Sequence, residues 1–352
     1  MKNFKTVLPI ALAALAWMIG PAFAAAPPDY SSMAVPPLMA LQGDMPTILF
    51  GGLLVNAATL STLFTGLKTL FNKALTAKPG DWAMTAMVVP STGAGEDYAW
   101  LTRFPRFRKW IGDKVVKNIE AGKYYKANED WETTIAVKRN DIEDDRLGLY
   151  NTQALGAGEA AGELNDIIVD DLKNGAFTQT GLDGQYFYDT DHLVGGVTVS
   201  NKLTVALSAA SQAAALACYG AARAAIMGFK DDEGMSLRLV PDTLEVPPAL
   251  EATARILCEA DKLVDNSPNP YKGTAKVLVN PALTSATSWY LHVTSKMSVK
   301  PFIIQMRKAP TFVSQTSQEN DDVFNRAEYK YGAEARATGL YGFWQLSVGS
   351  TG

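Results

Sequence analysis

Cysteine and histidine are scarce in this sequence: 352 residues contain 2 of each, Cys218 and Cys258, His192 and His292. Two thiols cannot build a disulfide-rich scaffold or a four-thiolate zinc site, and two imidazoles leave little material for histidine-based catalysis. A dominant sign of charge is missing as well. The 32 basic and 36 acidic side chains leave a net −4, which excludes a generally basic nucleic-acid binder and a polyelectrolyte-like disordered chain. There is no glycine-rich phosphate loop, serine elbow or paired-histidine zinc motif. Gly93-Ala94-Gly95 lacks the strand–helix setting of a dinucleotide site. Apolar runs of membrane-spanning length are also wanting. Residues 7–20 are too short, and residues 203–229 are diluted with alanine and interrupted by Gln212 and Arg223, so they read as one buried soluble helix.

What the chain does have is length, which exceeds what one core usually carries and implies two or three lobes. With 47% hydrophobic and 19% charged residues it leans toward a large structural or binding protein and away from a hydrolase or metalloenzyme. Lys2 and Lys5, the apolar run 7–20, and Pro21 with Ala22-Phe23-Ala24 make the pattern of a secretory signal peptide. By itself this start points to export, and an exported periplasmic binding protein or enzyme is the second functional reading. Otherwise residues 1–44 are an arm that packs elsewhere, or an extension from an upstream start codon, with Met33, Met39 and Met45 as alternative starts.

From Ala57 to Leu75 the residues Leu60, Leu63, Phe64, Leu67, Leu70, Phe71 and Leu75 recur at steps of three and four, predicting an amphipathic helix with Lys68 and Lys73 off its stripe. Residues 102–126 then carry 8 basic side chains against 2 acidic ones, and residues 128–145 carry 7 acidic against 2 basic. Trp131 to Val137 is strand-like. A basic limb followed by an acidic limb suggests an extended hairpin that neutralises itself or matches neighbouring copies of the same chain. Arg103, Arg106, Arg108 and Lys109 on one side, and Glu129, Asp130 and Glu132 on the other, are the candidate inter-subunit contacts. Interleaved with Trp110, the basic residues also invite a nucleic-acid reading, which the nearby acidic limb opposes.

Residues 153–174 predict a second helix with Ala157, Ala161, Leu164, Ile168 and Leu172 inward and Asp166, Asp170, Asp171 and Lys173 off the stripe. Gly156, Gly158 and Gly162 each cost this helix about 1 kcal/mol relative to alanine, so close tertiary packing must hold it. Asp189, Asp191 and His192 offer metal-ligand types in a loop, but aspartate and threonine are ordinary turn formers there, and no metal or cofactor is assigned. Cys218 and Cys258 read as small buried hydrophobes. Ser236 to Val240 and Ala275 to Val279 read as strands, a helix starts at Pro247-Pro248, and the C-terminal third alternates polar and aromatic residues in a half-buried sheet pattern. The chain is α+β, helices first and long antiparallel strands last.

Several segments form a series in a definite order. They are Leu60-Ser61-Thr62-Leu63-Phe64-Thr65-Gly66-Leu67-Lys68, Tyr98-Ala99-Trp100-Leu101 with Phe104-Pro105, Trp110-Ile111-Gly112-Asp113, and Val137-Lys138-Arg139-Asn140-Asp141-Ile142-Glu143-Asp144-Asp145. Asp189-Thr190-Asp191-His192, Val246-Pro247-Pro248-Ala249-Leu250-Glu251 and Tyr341-Gly342-Phe343-Trp344-Gln345-Leu346 complete the series. In this order the set resembles the major head subunit family of Mu-like bacteriophages.

The resemblance runs from about Val55 to the C-terminus and implies the tailed-phage, Hong Kong 97-like capsid fold. On that pattern residues 45–95 are an N-terminal arm, 96–150 an extended β-hairpin loop, and 151–232 a peripheral domain with a long spine helix. Residues 233–286 are an axial domain and 287–352 strands returning to the peripheral domain. Residues 1–44 stand outside it, a signal-like or misassigned extension. It further implies a non-enzymatic subunit assembling in the host cytoplasm into hexamers and pentamers of an icosahedral virion head. The partners would be further copies of itself, a scaffold or protease, a portal, decoration proteins, and packaged double-stranded DNA without sequence specificity, with no membrane. Relatives of this fold also raise lysine–asparagine cross-linking, with Lys126 and Asn128 as residues of the right type.

Overall fold

Asn56, in extended backbone, accepts from the amide of Thr59 at 2.9 Å and starts helix α1 (Ala57–Leu75), whose bounds are those the spacing predicts. Leu60, Leu63, Leu67 and Phe71 are buried along it, while Lys68 and Lys73 are exposed. The computed structural model describes residues 55–77, 80–98, 124–144, 146, 148–295, 299–317 and 319–352. In chain order these form α2 (Trp82–Thr85), β1 (Ala86–Pro90), β2 (Gly95–Asp97), β3 (Tyr125–Ala127), β4 (Glu129–Lys138), α3 (Arg139–Glu143), α4 (Gly148–Gly162) and α5 (Leu164–Gly175). Then come β5 (His192–Val194), β6 (Val197–Val199), β7 (Lys202–Leu203), and one continuous helix made of α6 (Gln212–Ala215), a π turn (Leu216–Gly220) and α7 (Ala221–Gly228). The remainder is β8 (Thr243–Val246), α8 (Glu251–Glu259), β9 (Lys276–Val279), β10 (Trp289–His292), β11 (Phe302–Gln315), α9 (Asp321–Arg326), β12 (Glu328–Tyr341) and β13 (Ser347–Ser350).

The two 14-residue strands β11 and β12 pair antiparallel and anchor a sheet of order β1-β11-β12-β4, in which only β1 runs parallel to its neighbour. Its core has two parts. Helices α1 and α4 close over Ile135, Val137, Phe312, Tyr329 and Tyr331, with the Phe71 and Phe312 rings 5.2 Å apart. Helix α5 covers the other stretch, setting Ile168 and Leu172 among Phe302, Ile304, Ala337 and Tyr341. A second sheet, of order β7-β13-β10-β8-β9, buries Leu244, Leu291 and Val348 with Tyr219, Ile226 and Leu257 of the later helices.

Four expectations change on contact with the structure. The helix expected over 153–174 is two helices starting at Gly148, broken at Glu163 (φ −81°, ψ −7°). Glycine-rich sequence is where such breaks occur, and the break lets α4 follow α1 while α5 lies on the sheet. The helix expected over 203–229 begins only at Gln212, where Ser211 accepts from Ala214 N. Leu203 is paired with β13, and Val205 O receives Trp289 Nε1 at 3.0 Å and Ser350 Oγ at 2.8 Å, so the stretch before Ser211 serves the second sheet. Ser236 to Val240 is not a strand, because Arg238 adopts φ +53°. Finally, the acidic limb is not the second arm of a hairpin. Ten of its residues, Glu129–Lys138, are β4, paired along their whole length with β12 from Glu129↔Ala337 to Lys138↔Glu328.

Candidate inter-subunit surface

Strands β2 and β3 pair antiparallel, Gly95↔Ala127, Glu96↔Lys126 and Asp97↔Tyr125, and form the described base of a hairpin. Arg103, Arg106, Arg108 and Lys109 belong to the segment between them and lie outside the described residues. Both arms of the base are tied to the body through Gln305, a fully buried glutamine at the end of the apolar run Phe302-Ile303-Ile304. Its Oε1 accepts from Tyr98 OH at 2.8 Å, and its Nε2 donates to Asn128 Oδ1 at 2.7 Å and Lys126 O at 3.1 Å. Asn128 Nδ2 in turn donates to Ser91 Oγ, Gly93 O and Ala94 O at 3.1–3.2 Å. Glu96 Oε1 accepts from the amides of Thr92 at 2.5 Å and Gly93 at 3.1 Å, and these donors hold its carboxyl below the usual range. Burial pushes Tyr98 up to about 12, so its hydroxyl stays a donor. Asn128, raised above as a cross-link type, has its side chain fully engaged within its own chain.

Glu129, Asp130 and Glu132 sit at the exposed start of β4. The strand alternates: Trp131, Thr133, Ile135 and Val137 turn toward the core, and Asp130, Glu132, Thr134 and Ala136 away from it. Each of the three carboxylates already has an intrachain contact. Glu129 accepts from Thr338 Oγ1 at 3.1 Å, Glu132 from Thr134 Oγ1 at 2.7 Å, and Asp130 lies 2.6 Å from Arg336 Nε.

A second polar cluster gave no signal in the sequence. Lys173, expected off the stripe of its helix, is 2% exposed and its Nζ lies 2.8 Å from Glu245 Oε1. Glu245 also receives Asn280 Nδ2 at 2.8 Å and faces His292 Nε2 at 3.2 Å. From His292 Nδ1 the chain continues to Ser347 Oγ at 2.8 Å and Tyr188 OH at 2.6 Å. Burial works to raise the Glu245 carboxyl, but the Lys173 ammonium and the His292 hydrogen bond outweigh it and hold the pKa at about 2. Asp170, beside Lys173 and Asn280, is shifted upward because desolvation wins there. A serine, a histidine and a carboxylate in series have the residue types of a hydrolytic triad. Here all three are 0% exposed, so the arrangement can join α5 to strands β8, β10 and β13 but cannot touch a substrate.

His192 is likewise buried. Its Nδ1 lies 2.6 Å from Asp183 Oδ2, its Nε2 3.1 Å from Asn201 Oδ1, and its ring stacks on Trp344 at 4.1 Å. Asp189 is occupied by the amides of Thr190 and Tyr186. Among the described residues no group of three or more metal-ligand side chains converges, and no helix is long and apolar enough to cross a membrane.

A long-stranded sheet flanked by helices, a second sheet with its own helices, and a hairpin rooted between the first sheet's edge strands define a class, the tailed-phage capsid subunits of Hong Kong 97-like fold. A chain of the bacteriophage JBD30 procapsid is 30% identical with a TM-score of 0.54, over 85% of this chain and 76% of that one. A chain of the JBD30 capsid decorated with minor capsid protein trimers is 26% identical with a TM-score of 0.52, over 59% and 92%. Within the class the sequence is more particular. The family described as Mu-like prophage major head subunit gpT matches residues 60–216, 206–283 and 284–352, and the chain belongs to this family. It is 29% identical to the Mu-like prophage FluMu major head subunit of Haemophilus influenzae over 82% of this chain and 71% of that protein. It is 27% identical to the major capsid protein of Escherichia phage Mu over 85% and 76%. The chain is thus a structural capsid protein of a phage virion that associates with copies of itself, and the exported binding protein or enzyme finds no support.

Proposed function

We propose that copies of this chain close into the hexamers and pentamers of an icosahedral head around double-stranded DNA, and that the chain performs no reaction. The family match extending from residue 60 to residue 352 carries this reading. The enclosure of Ser347, His292 and Glu245 supports its non-enzymatic half. Assembly takes place in the host cytoplasm, with a scaffold or protease, a portal and decoration proteins as partners and with DNA held without sequence specificity.

In this reading residues 45–95 are the arm, and the helices and long strands of 151–232 and 287–352 the peripheral domain. Residues 233–286 are the axial domain, and the segment leaving β2 and returning at β3 is the extended loop. Arg103, Arg106, Arg108 and Lys109 of one copy face carboxylates of the next, with Glu129, Asp130 and Glu132 as the acidic candidates. Contacts of this kind set register and partner choice more than raw affinity.

The test is expression from Met45 onward followed by electron microscopy. Rings or shells are expected, and a clean monomer at high concentration overturns the reading. The informative deletion is 99–123, which leaves β4 in its sheet. It should yield a folded subunit that closes no shells.

A further inference from the structure

A helix with one side in water normally carries charge on that side. Helix α8 does so: packed on the core of the second sheet, it turns Arg255 outward between Glu251 and Glu259, in ion pairs of 2.8 and 3.1 Å. The continuous helix from Gln212 to Gly228 lies against the same core and does not. Ala215, Tyr219, Ala222 and Ile226 make its buried side. Ala213, Leu216, Ala217, Ala224, Met227 and Gly228 recur at steps of three, four and seven and are exposed, Leu216 by 61% and Met227 by 43%. Arg223 is the single charged residue in the span, and its guanidinium is occupied within the chain, Nη1 donating to Pro241 O at 3.2 Å and Thr274 O at 3.3 Å. The apolar surface continues past the start of the helix, where the amide of Val264, a residue 69% exposed, donates to Ala209 O at 3.1 Å.

We infer that this outer face is a contact between copies of the chain, covered by a second copy in the assembled particle. The inference rests on the proposed shell and gives it an apolar contact separate from the charged limbs. A second copy is the occupant the surface fits. The face offers no free basic group to a phosphate backbone, and it lacks the Lys and Arg that flank the apolar side of a helix lying in a membrane surface. Its size also decides between kinds of association. About 25 Å long and about 10 Å wide, it offers roughly 250 Å² per copy, about a third of the roughly 800 Å² that each partner buries in a stable pair. That is too little for an isolated dimer. It suits one of several contacts a subunit makes at once, each weak alone and secured when the others are in place. Leu216 and Met227 stand above the small side chains of Ala213, Ala217 and Ala224, so the face has relief that a partner must match.

The experiment uses the full chain carrying Ala224→Cys, with maleimide labelling followed in the free subunit and in assembled particles. Native Cys218 and Cys258 are buried and take no label. Labelling of the new thiol should slow about tenfold or more on assembly, as a position in the dry centre of a contact does. If Ala224→Cys does not fold, Ala213→Cys is judged by the same criterion. Leu216→Lys, a change at an exposed position, should keep the parental far-UV circular dichroism and urea midpoint while the yield of closed particles falls about tenfold. Closed particles that label as fast as the free subunit, or a folded Leu216→Lys chain that assembles at the parental yield, overturn the face and leave the shell proposal standing. A parent chain that stays monomeric at high concentration overturns the shell proposal, and this contact with it.

Discussion

Lys173, Glu245 and His292 are the residues whose behaviour departs furthest from what their types suggest. An ammonium and a carboxylate are out of water together, and each is held because the other is there. Breaking a buried pair by removing one member leaves an uncompensated charge, so Lys173→Met should cost about 3–5 kcal/mol in urea or guanidinium unfolding. The same pair gives a defined acid response. Glu245 has a folded pKa near 2 against an ordinary value of 4.5. A depressed carboxyl contributes stability that is complete above the ordinary value and is lost as pH falls through the folded one. Melting temperature should therefore drop between about pH 4.5 and pH 2, and Glu245→Gln should flatten that stretch of the curve from a lower starting point. The sequence hid this cluster for a physical reason. Helical spacing assigns Lys173 to the outer face, and nothing local announces that Glu245, seventy-odd positions on, will lie within reach. Gln305 was hidden differently: a lone amide ending an apolar run is a visible oddity, but its partners come from two separate segments far away in sequence.

At the scale of elements the spacing of apolar residues was informative and the pairing of elements was not. Helix α1 was legible to its ends because its stripe and its cap are both local. Close packing around the α4 glycines was legible in part. A Cβ on Gly158 would stand 2.4 Å from Phe71 O and 2.8 Å from Ala74 Cβ, whereas one on Gly156 would meet nothing within 4 Å. Two substitutions of one kind should therefore have opposite signs. Gly158→Ala should destabilise by about 1–3 kcal/mol as α1 and α4 are wedged apart, and Gly156→Ala should stabilise by about 0.5–1 kcal/mol through helix propensity. Both are read from denaturation midpoints, and equal effects at the two sites would contradict the helix contact. Alternation likewise made β4 recognisable as a strand, but the charge contrast on either side of residue 127 suggested the wrong partner. Backbone register with β12, set by the burial of Ile135 and Val137, overrode it.

For the whole molecule, the ordered set of segments carried the fold and the family, while composition only removed alternatives. Segment order is a long-range property that survives when no single motif is decisive. The proposed contacts between copies through the charged limbs rest on charge alone, which says that surfaces attract and not which ones meet. A shell joined partly by exposed charges should assemble more slowly as salt rises from about 0.1 M to 1 M, where the screening length shrinks from about 10 Å to 3 Å. Light scattering during assembly measures this directly, and a rate indifferent to salt would remove the electrostatic part of the proposal.

The chain leaves β1 at one margin of the four-stranded sheet, runs out through the hairpin, and re-enters as β4 at the opposite margin. Tension applied to residues 99–123 is consequently delivered to both margins at once. Because β1 and β4 run in the same direction, the load meets β1 at its C-terminal end and β4 at its N-terminal end, and the two margins take it in opposite senses. A pull on one stretch of chain is thereby resisted at two separate places in the sheet instead of one.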